Sequence, residues 1–188
     1  MRPADEPALS LSEWIVLSLV TEGLTHGNAL SRQVARHGDL GQIWHVPRGV
    51  VYRSLDRLTD LGLIRPAGEE RSKRGPVRLL VEATGAGRAT ARAWLQQPVE
   101  HTRDIRSELL VKLALLDRSG IDPQDLLVAQ RALLVPIAGA LRDKVPVATG
   151  FDRTLLLWRY ETASATLRFL DALVLTVPQP ARPGAPGG

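Results

Sequence analysis

Residues 44–64, Trp-His-Val-Pro-Arg-Gly-Val-Val-Tyr-Arg-Ser-Leu-Asp-Arg-Leu-Thr-Asp-Leu-Gly-Leu-Ile, constrain the fold more than any other stretch of the chain. Pro47 lacks an amide proton that a first helical turn does not need, so a helix is predicted to begin there. Val51, Leu55 and Leu58 recur at i, i+4 and i+7 and face a core. Gly62 ends the helix, and Leu63-Ile64 opens an extended segment. Arg48, Gly49, Val50, Tyr52, Arg53 and Arg57 lie off the apolar stripe, with the arginines crowded toward the helix start. A major-groove reader needs such a face. Arginines meet phosphates and guanine edges, while Gly49 and Val50 permit close approach and contact with thymine methyls. Taken alone, the pattern also fits an amphipathic surface helix with solvated arginines.

The flanks favour the first reading. Residues 65–76 form a polar tract rich in turn formers, and residues 77–81, Val-Arg-Leu-Leu-Val, read as a strand. Strand, basic loop and return strand after a basic helix make a β-hairpin wing. Upstream, residues 11–22 and 28–37 are predicted helices joined by Gly23-Leu24-Thr25-His26-Gly27. Three helices and a two-stranded wing form a winged helix-turn-helix over residues 8–97. Trp14 and Trp44 are assigned to its core. Arg71, Lys73 and Arg74 at the wing tip, supported by Arg78, are placed to meet the DNA backbone. His26 caps or fixes the first turn of the second helix, or touches a phosphate.

Past the wing the pattern is wholly helical, and residues 98–177 are expected to form a second, dimerising domain. Thr84 caps a helix that runs to Gln96, before Pro98 breaks it. Residues 104–116 make another helix, with Ile105, Leu109, Leu113 and Leu116 on one side. Asp122-Pro123-Gln124-Asp125 starts a third that runs toward Lys144, with a kink predicted at Pro136. The last helix, residues 152–175, carries two stripes. Leu156, Tyr160, Ala163, Leu167, Leu170 and Val174 form one; Trp158, Thr162, Ala165, Phe169 and Ala172 form the other. A helix with two apolar stripes must bury both, one on its own subunit and one on a partner, most simply a second copy. The first stripe is taken as the dimer interface. Residues 178–188, mostly proline, glycine and alanine, are expected to be a disordered tail.

Charge agrees with a nucleic-acid partner. The net formal charge is +4, and residues 45–78 hold eight basic against four acidic side chains. There is no cysteine, hence no disulfide framework and no thiolate chemistry. No uninterrupted apolar run of membrane-spanning length and no signal-peptide layout is read, so the chain is expected to be cytoplasmic and free of membrane. Gly85-Ala86-Gly87 resembles the start of a dinucleotide loop, yet Thr90 occupies the third glycine's place and no alternating strands and helices follow. His26, His37, His45 and His101 lack paired ligand spacing, so no metal or other cofactor is expected. No serine sits in a nucleophile elbow, and no catalytic residue is assigned. The chain reads as a regulator rather than an enzyme.

These pieces together resemble the PadR family of transcriptional regulators. The resemblance is carried by Leu17-Ser-Leu-Val-Thr-Glu-Gly-Leu-Thr-His-Gly27, Val46-Pro-Arg-Gly-Val-Val-Tyr-Arg-Ser-Leu55 and Arg57-Leu-Thr-Asp-Leu-Gly-Leu-Ile64. Gly75-Pro76, Arg78, Thr84-Gly-Ala-Gly87 and Trp94-Leu95 add to it, in family order, across the first half of the chain. Three positions depart from the family pattern: Asn28 for an aromatic, Leu80 for a tyrosine, and Arg53 for a proline. The last adds charge on the DNA-facing side, so operator sequence does not carry over. The resemblance implies a mainly α protein with a winged helix-turn-helix and a helical C-terminal dimerisation domain. It also implies a homodimer whose terminal helix packs on the partner's DNA-binding domain, and a repressor released from double-stranded operator DNA by a small aromatic effector. Trp94 at the domain junction and Trp158, Tyr160 and Phe169 on the last helix are the candidate ligand contacts. The alternatives are a winged-helix protein-interaction module and a regulator of the MarR type. MarR-type dimerisation uses helices at both chain ends, for which this N-terminus offers little length.

Overall fold

Ser10 begins the first helix with a reciprocal cap. Its hydroxyl accepts from the Glu13 amide at 3.4 Å, and the Glu13 carboxylate accepts from the Ser10 amide at 2.6 Å, an arrangement worth about 1 kcal/mol. The structure, a computed structural model, describes residues 9–70 and 77–176. Helix α1 (Leu11–Thr21) is buried from Glu13 through Val20, with helices α3 (Arg48–Asp60) and α4 (Gly85–Gln96) packed around it. The ring of Trp14 stacks parallel on Trp94 of α4, with centroids 5.0 Å apart. Such a pair contributes roughly 0.5–1.5 kcal/mol beyond its buried area.

Helix α2 (Gly27–Gln33) is shorter than the predicted 28–37. His26 caps it from the front, Nδ1 accepting from the Ala29 amide at 3.1 Å. Behind it, Gly38 and Gly41 fold back onto the carbonyls of Gln33 and Ala35 so closely that a Cβ at either would overlap them. The helix ends because the chain wraps over its own C-terminus. Leu40 is driven into the core, and the Val46 amide closes the connector on the Val34 carbonyl at 3.1 Å. Trp44 departs from its expected core position. It is 39% exposed, and its Nε1 donates to Ser12 Oγ at 3.3 Å.

Strands β1 (Thr25–His26), β2 (Ile64–Glu70) and β3 (Arg78–Ala83) form one antiparallel sheet in the order β1-β3-β2. Ile64 pairs with Ala83 and Glu70 with Arg78. A bulge between Pro66 and Gly68 shifts the register, and Gly68 takes a positive φ there. At the sheet's exit Thr84 Oγ accepts from the Gly87 amide at 3.0 Å and donates to the Gly62 carbonyl at 2.8 Å. A Cβ on Gly87 would overlap the Leu63 carbonyl. Gly87 therefore serves the close approach of α4 to the Leu63 backbone in a strand-to-helix turn.

Internal contacts divide the chain into two units, Met1–Pro123 and Gln124–Gly188. The first ends with a π turn at Ile105–Leu109 that leads into α5 (Leu110–Arg118), where a single straight helix was predicted. Lys112 of α5 is fully buried. Its ammonium donates to Glu108 at 2.9 Å and to the Gln97 carbonyl at 2.8 Å, and lies 4.8 Å from the Trp94 ring centroid. The second unit holds α6 (Gln124–Lys144), a short turn at Val145–Val147, and α7 (Gly150–Thr176). Helix α6 continues through Pro136 and packs against α7, with Arg131 Nε donating to Asp171 at 2.7 Å. Among the described residues one stretch, Gln124–Val147, is long and apolar enough by length and composition to cross a membrane. It carries the buried Gln130 and the paired Arg131, groups that a protein-packed helix accommodates and hydrocarbon penalises. The tail at 178–188 lies outside the described residues.

Candidate nucleic-acid interface

Helix α3 separates its residues by function. Val51, Ser54, Leu55 and Leu58 are buried, and Arg48, Gly49, Tyr52, Arg53 and Arg57 are exposed, with Val50 half-buried at the edge. The guanidinium of Arg48 lies 5.6 Å from the Tyr52 ring centroid, a cation–π contact that steadies both. Gly49 leaves open surface between them; Arg53 Nη1 alone reaches 4.0 Å from where its Cβ would stand. Among the described residues neither Arg48 nor Arg53 has an acidic partner, so both charges are available to an anion.

Tyr52 is placed from behind. A Cβ on Gly27, the first residue of α2, would stand 2.8 Å from Tyr52 Cε1 and 2.9 Å from Cζ. The ring thus rests on bare backbone at the start of α2, beside the His26 cap. His26 Nε2 comes within 3.9 Å of Glu70 on β2, and Glu70 accepts from Arg78 Nη1 of β3 at 3.3 Å. Since Nδ1 is occupied as an acceptor, the outward nitrogen is the one that carries the proton. His26 therefore acts first as a helix cap, and Arg78 is held at the loop end of the hairpin by a carboxylate on the opposite strand. Arg71, Lys73 and Arg74 lie outside the described residues.

Between α3 and the hairpin runs a cleft of about 870 Å³. Tyr52, Leu55, Pro66, Leu79 and Val81 supply its apolar wall; Arg48, His26 and Arg78 stand on the same cleft as Asp56 and Asp60. The two aspartates and Leu79 escaped the sequence reading, because only the paired sheet brings β3 against this side of α3. Arg57 is engaged elsewhere. Its guanidinium lies 3.4 Å from Glu13, the carboxylate that also caps α1, so it joins the recognition helix to α1 while half of its side chain stays exposed.

The expected ligand and interface residues fall into different settings. Trp94 is 1% exposed, and its Nε1 donates to Glu108 at 3.2 Å, so its ring offers no surface to a small molecule. On α7, Ala163 and Leu170 of the first stripe are fully covered in the single chain, while Leu156, Tyr160, Leu167 and Val174 are partly covered. The second stripe is the open one. Trp158 is 70% exposed, and Phe169, Ala165 and Ala172 are exposed with it. The physical reason is that α6 takes the first stripe. Among the described residues no group of three or more metal-ligating side chains comes together.

The chain is similar to known proteins, most directly over its first half. Residues 16–93 match the model of the transcriptional regulator PadR-like family. No curated protein matches the chain significantly. Among solved structures, Bacillus subtilis PadR in complex with operator DNA is similar at 18% identity, with 88% of this chain and 98% of that one covered and a TM-score of 0.46. The same protein in complex with p-coumaric acid matches at 18% identity, covering 90% and 97%, with a TM-score of 0.38. A PadR-like regulator from Bacillus cereus matches at 18% identity, covering 87% and 96%, also with a TM-score of 0.38. The matched segment runs from the second half of α1 through α2, α3, β2 and β3 to most of α4, and over residues 16–93 the chain is similar to the transcriptional regulator PadR-like family.

Proposed function

We propose that this chain is a sequence-specific regulator of transcription that reads duplex DNA with α3 and acts as a homodimer. The observation that carries it is the pair of uncompensated arginines, Arg48 and Arg53, flanking open backbone at Gly49 on a helix whose ring, Tyr52, is seated against Gly27. Charged donors at the start of an exposed helix, with room for a base pair's edge between them, suit major-groove contact. Arg78 and the wing-tip residues Arg71, Lys73 and Arg74 supply phosphate contacts in this reading. Residues 8–97 are the DNA-binding domain and 98–177 the dimerisation and effector domain. The open stripe of α7 around Trp158 and Phe169 faces the second copy.

Repression relieved by a small planar effector is part of the same proposal and rests on the family. Trp158 and Phe169, with the half-buried Tyr160, are candidate rings for such a ligand on α7, where Phe151 is exposed as well; a role for Trp94 requires that Lys112 and Trp14 first uncover it. The test is fluorescence anisotropy on duplexes from upstream of the chain's own gene, beside a random duplex. Wild-type protein should prefer one upstream site, and the double variant Arg48→Ala, Arg53→Ala should lose that preference. Equal binding of wild type and double variant to the chosen site would overturn the assignment.

A further inference from the structure

We infer that Arg118 is a positioning residue for DNA binding: it holds the end of α2 and the connector ahead of α3 in the frame from which the recognition helix projects. This rests on the DNA reading above, and nothing in that reading uses Arg118. Its Nε donates to Glu22 Oε1 at 2.8 Å and its Nη2 to Glu22 Oε2 at 2.7 Å. Nη1 donates to Asp39 Oδ2 at 3.1 Å, and Nη2 also reaches Gln33 Oε1 at 3.0 Å. One guanidinium thus ties the last residue of α5 to three separate places: the C-cap of α1, the last residue of α2, and the segment between α2 and α3.

An ordinary surface ion pair contributes little, because two long side chains must be ordered in water. Arg118 differs in geometry. Its side chain is 24% exposed, it grips one carboxylate with two parallel donors, and it spends further donors on two other segments. The hydrogen bond with Glu22 raises its pKa further above the usual arginine value, with the Glu22 and Asp39 charges adding to the shift and burial opposing it. The residue stands where a cation is favoured, at the C-terminal end of α5. The connector it holds is irregular and leads directly into α3, so the angle of α3 depends on what fixes that connector. Arg118 does not line the cleft between α3 and the wing. An effect on DNA then passes through placement or through long-range attraction of its charge.

Lysine at this position keeps the charge and loses the fork, which separates placement from long-range attraction. The experiment uses full-length Arg118→Lys and Asp39→Asn, titrated against the operator and a random duplex over a range of salt. Thermal unfolding and amide hydrogen exchange accompany the titrations. For Arg118→Lys, operator affinity should fall by about tenfold or more, the scale of a displaced groove contact. Random-duplex affinity and the slope against salt should stay within twofold of wild type. Exchange should accelerate in α2 and residues 34–47 and remain unchanged in α4. Asp39→Asn should show the same pattern more weakly. Operator affinity within twofold of wild type in Arg118→Lys would overturn the proposal. So would operator and random affinities falling together with the unfolding midpoint, since that is plain destabilisation. If wild-type protein binds no duplex, the DNA reading fails and the positioning role with it, while unchanged exchange in α2 and the connector would refute the clamp itself.

Discussion

Replacing Gly27 by alanine separates what the Tyr52 seat does for stability from what it does for DNA. Gly27 is buried at the first position of α2 and has an ordinary backbone conformation, so alanine brings no strain in φ. The new methyl would meet Tyr52 Cε1 at 2.8 Å, Cζ at 2.9 Å and the hydroxyl oxygen at 3.2 Å. Carbon atoms in contact prefer about 3.5–4.0 Å, so the ring has to withdraw by roughly 0.7 Å or more. Tyr52 is an exposed side chain with solvent on its other side. It can swing outward at small cost, and alanine recovers up to about 1 kcal/mol of helix propensity that glycine forgoes. Net stability should therefore change by no more than about 1 kcal/mol, a shift of a few degrees in the unfolding midpoint.

Affinity should respond much more strongly. The ring that moves supports Arg48 from 5.6 Å, so both groups leave the positions from which they meet a groove. Loss of one well-placed groove contact costs about 1–3 kcal/mol, or roughly fivefold to 150-fold in operator affinity. Anisotropy titrations of Gly27→Ala, Tyr52→Ala and the double variant close the cycle. Once the ring is gone the three nearest contacts of the added methyl go with it, so Gly27→Ala should have little further effect in the Tyr52→Ala background. Wild-type affinity in Gly27→Ala, or the same fold-loss with and without the ring, would refute the reasoning.

Two further outcomes follow from the packing. Lys112→Met strips a buried cation from Glu108, the Gln97 carbonyl and the Trp94 ring. Breaking a buried pair costs about 3–5 kcal/mol; Glu108 is partly hydrated and moderates that, so calorimetry should show a loss of about 2–4 kcal/mol, with most of it recovered by adding Glu108→Gln. On α7, the double variant Trp158→Ser, Phe169→Ser should turn a dimer into a monomer by light scattering, whereas an unchanged dimer mass would place the interface elsewhere.

The parts of the fold legible in the sequence were those fixed within one turn of chain. Thr84 and Gly62 are local signals, and the helices they cap or close stand close to where the residues placed them. The apolar repeat of α3 separates buried from exposed positions by arithmetic alone. Helix α2 was overextended because its end is set by backbone approach: Gly38 and Gly41 press on carbonyls that no periodicity reveals. Sequence alone puts Trp44 in the core, yet its indole reaches Ser12 at the surface. The two stripes of α7 were both visible, but a stripe does not say which partner it meets; α6 takes the one with Ala163 and Leu170.

The arginines make the same point for the site itself. Sequence places Arg48, Arg53, Arg57 and Arg78 on one basic surface and treats them alike. The folded chain does not, because Arg57 meets Glu13 and Arg78 meets Glu70, each partner contributed by a different element. An arginine held by a carboxylate must give up that contact, or share it, before it meets a phosphate, and its net gain on binding falls accordingly. Arg48 and Arg53 carry no such debt among the described residues. In the proposed DNA reading, specific recognition is therefore concentrated in the first two turns of α3, where Gly49 leaves the backbone open and Tyr52 is seated on Gly27. Arg57 and Arg78 serve first to fix that helix and the wing in place. On that proposal, a basic helix becomes a reader through this division: some charges hold the element still, so that the remainder would meet the groove from fixed positions.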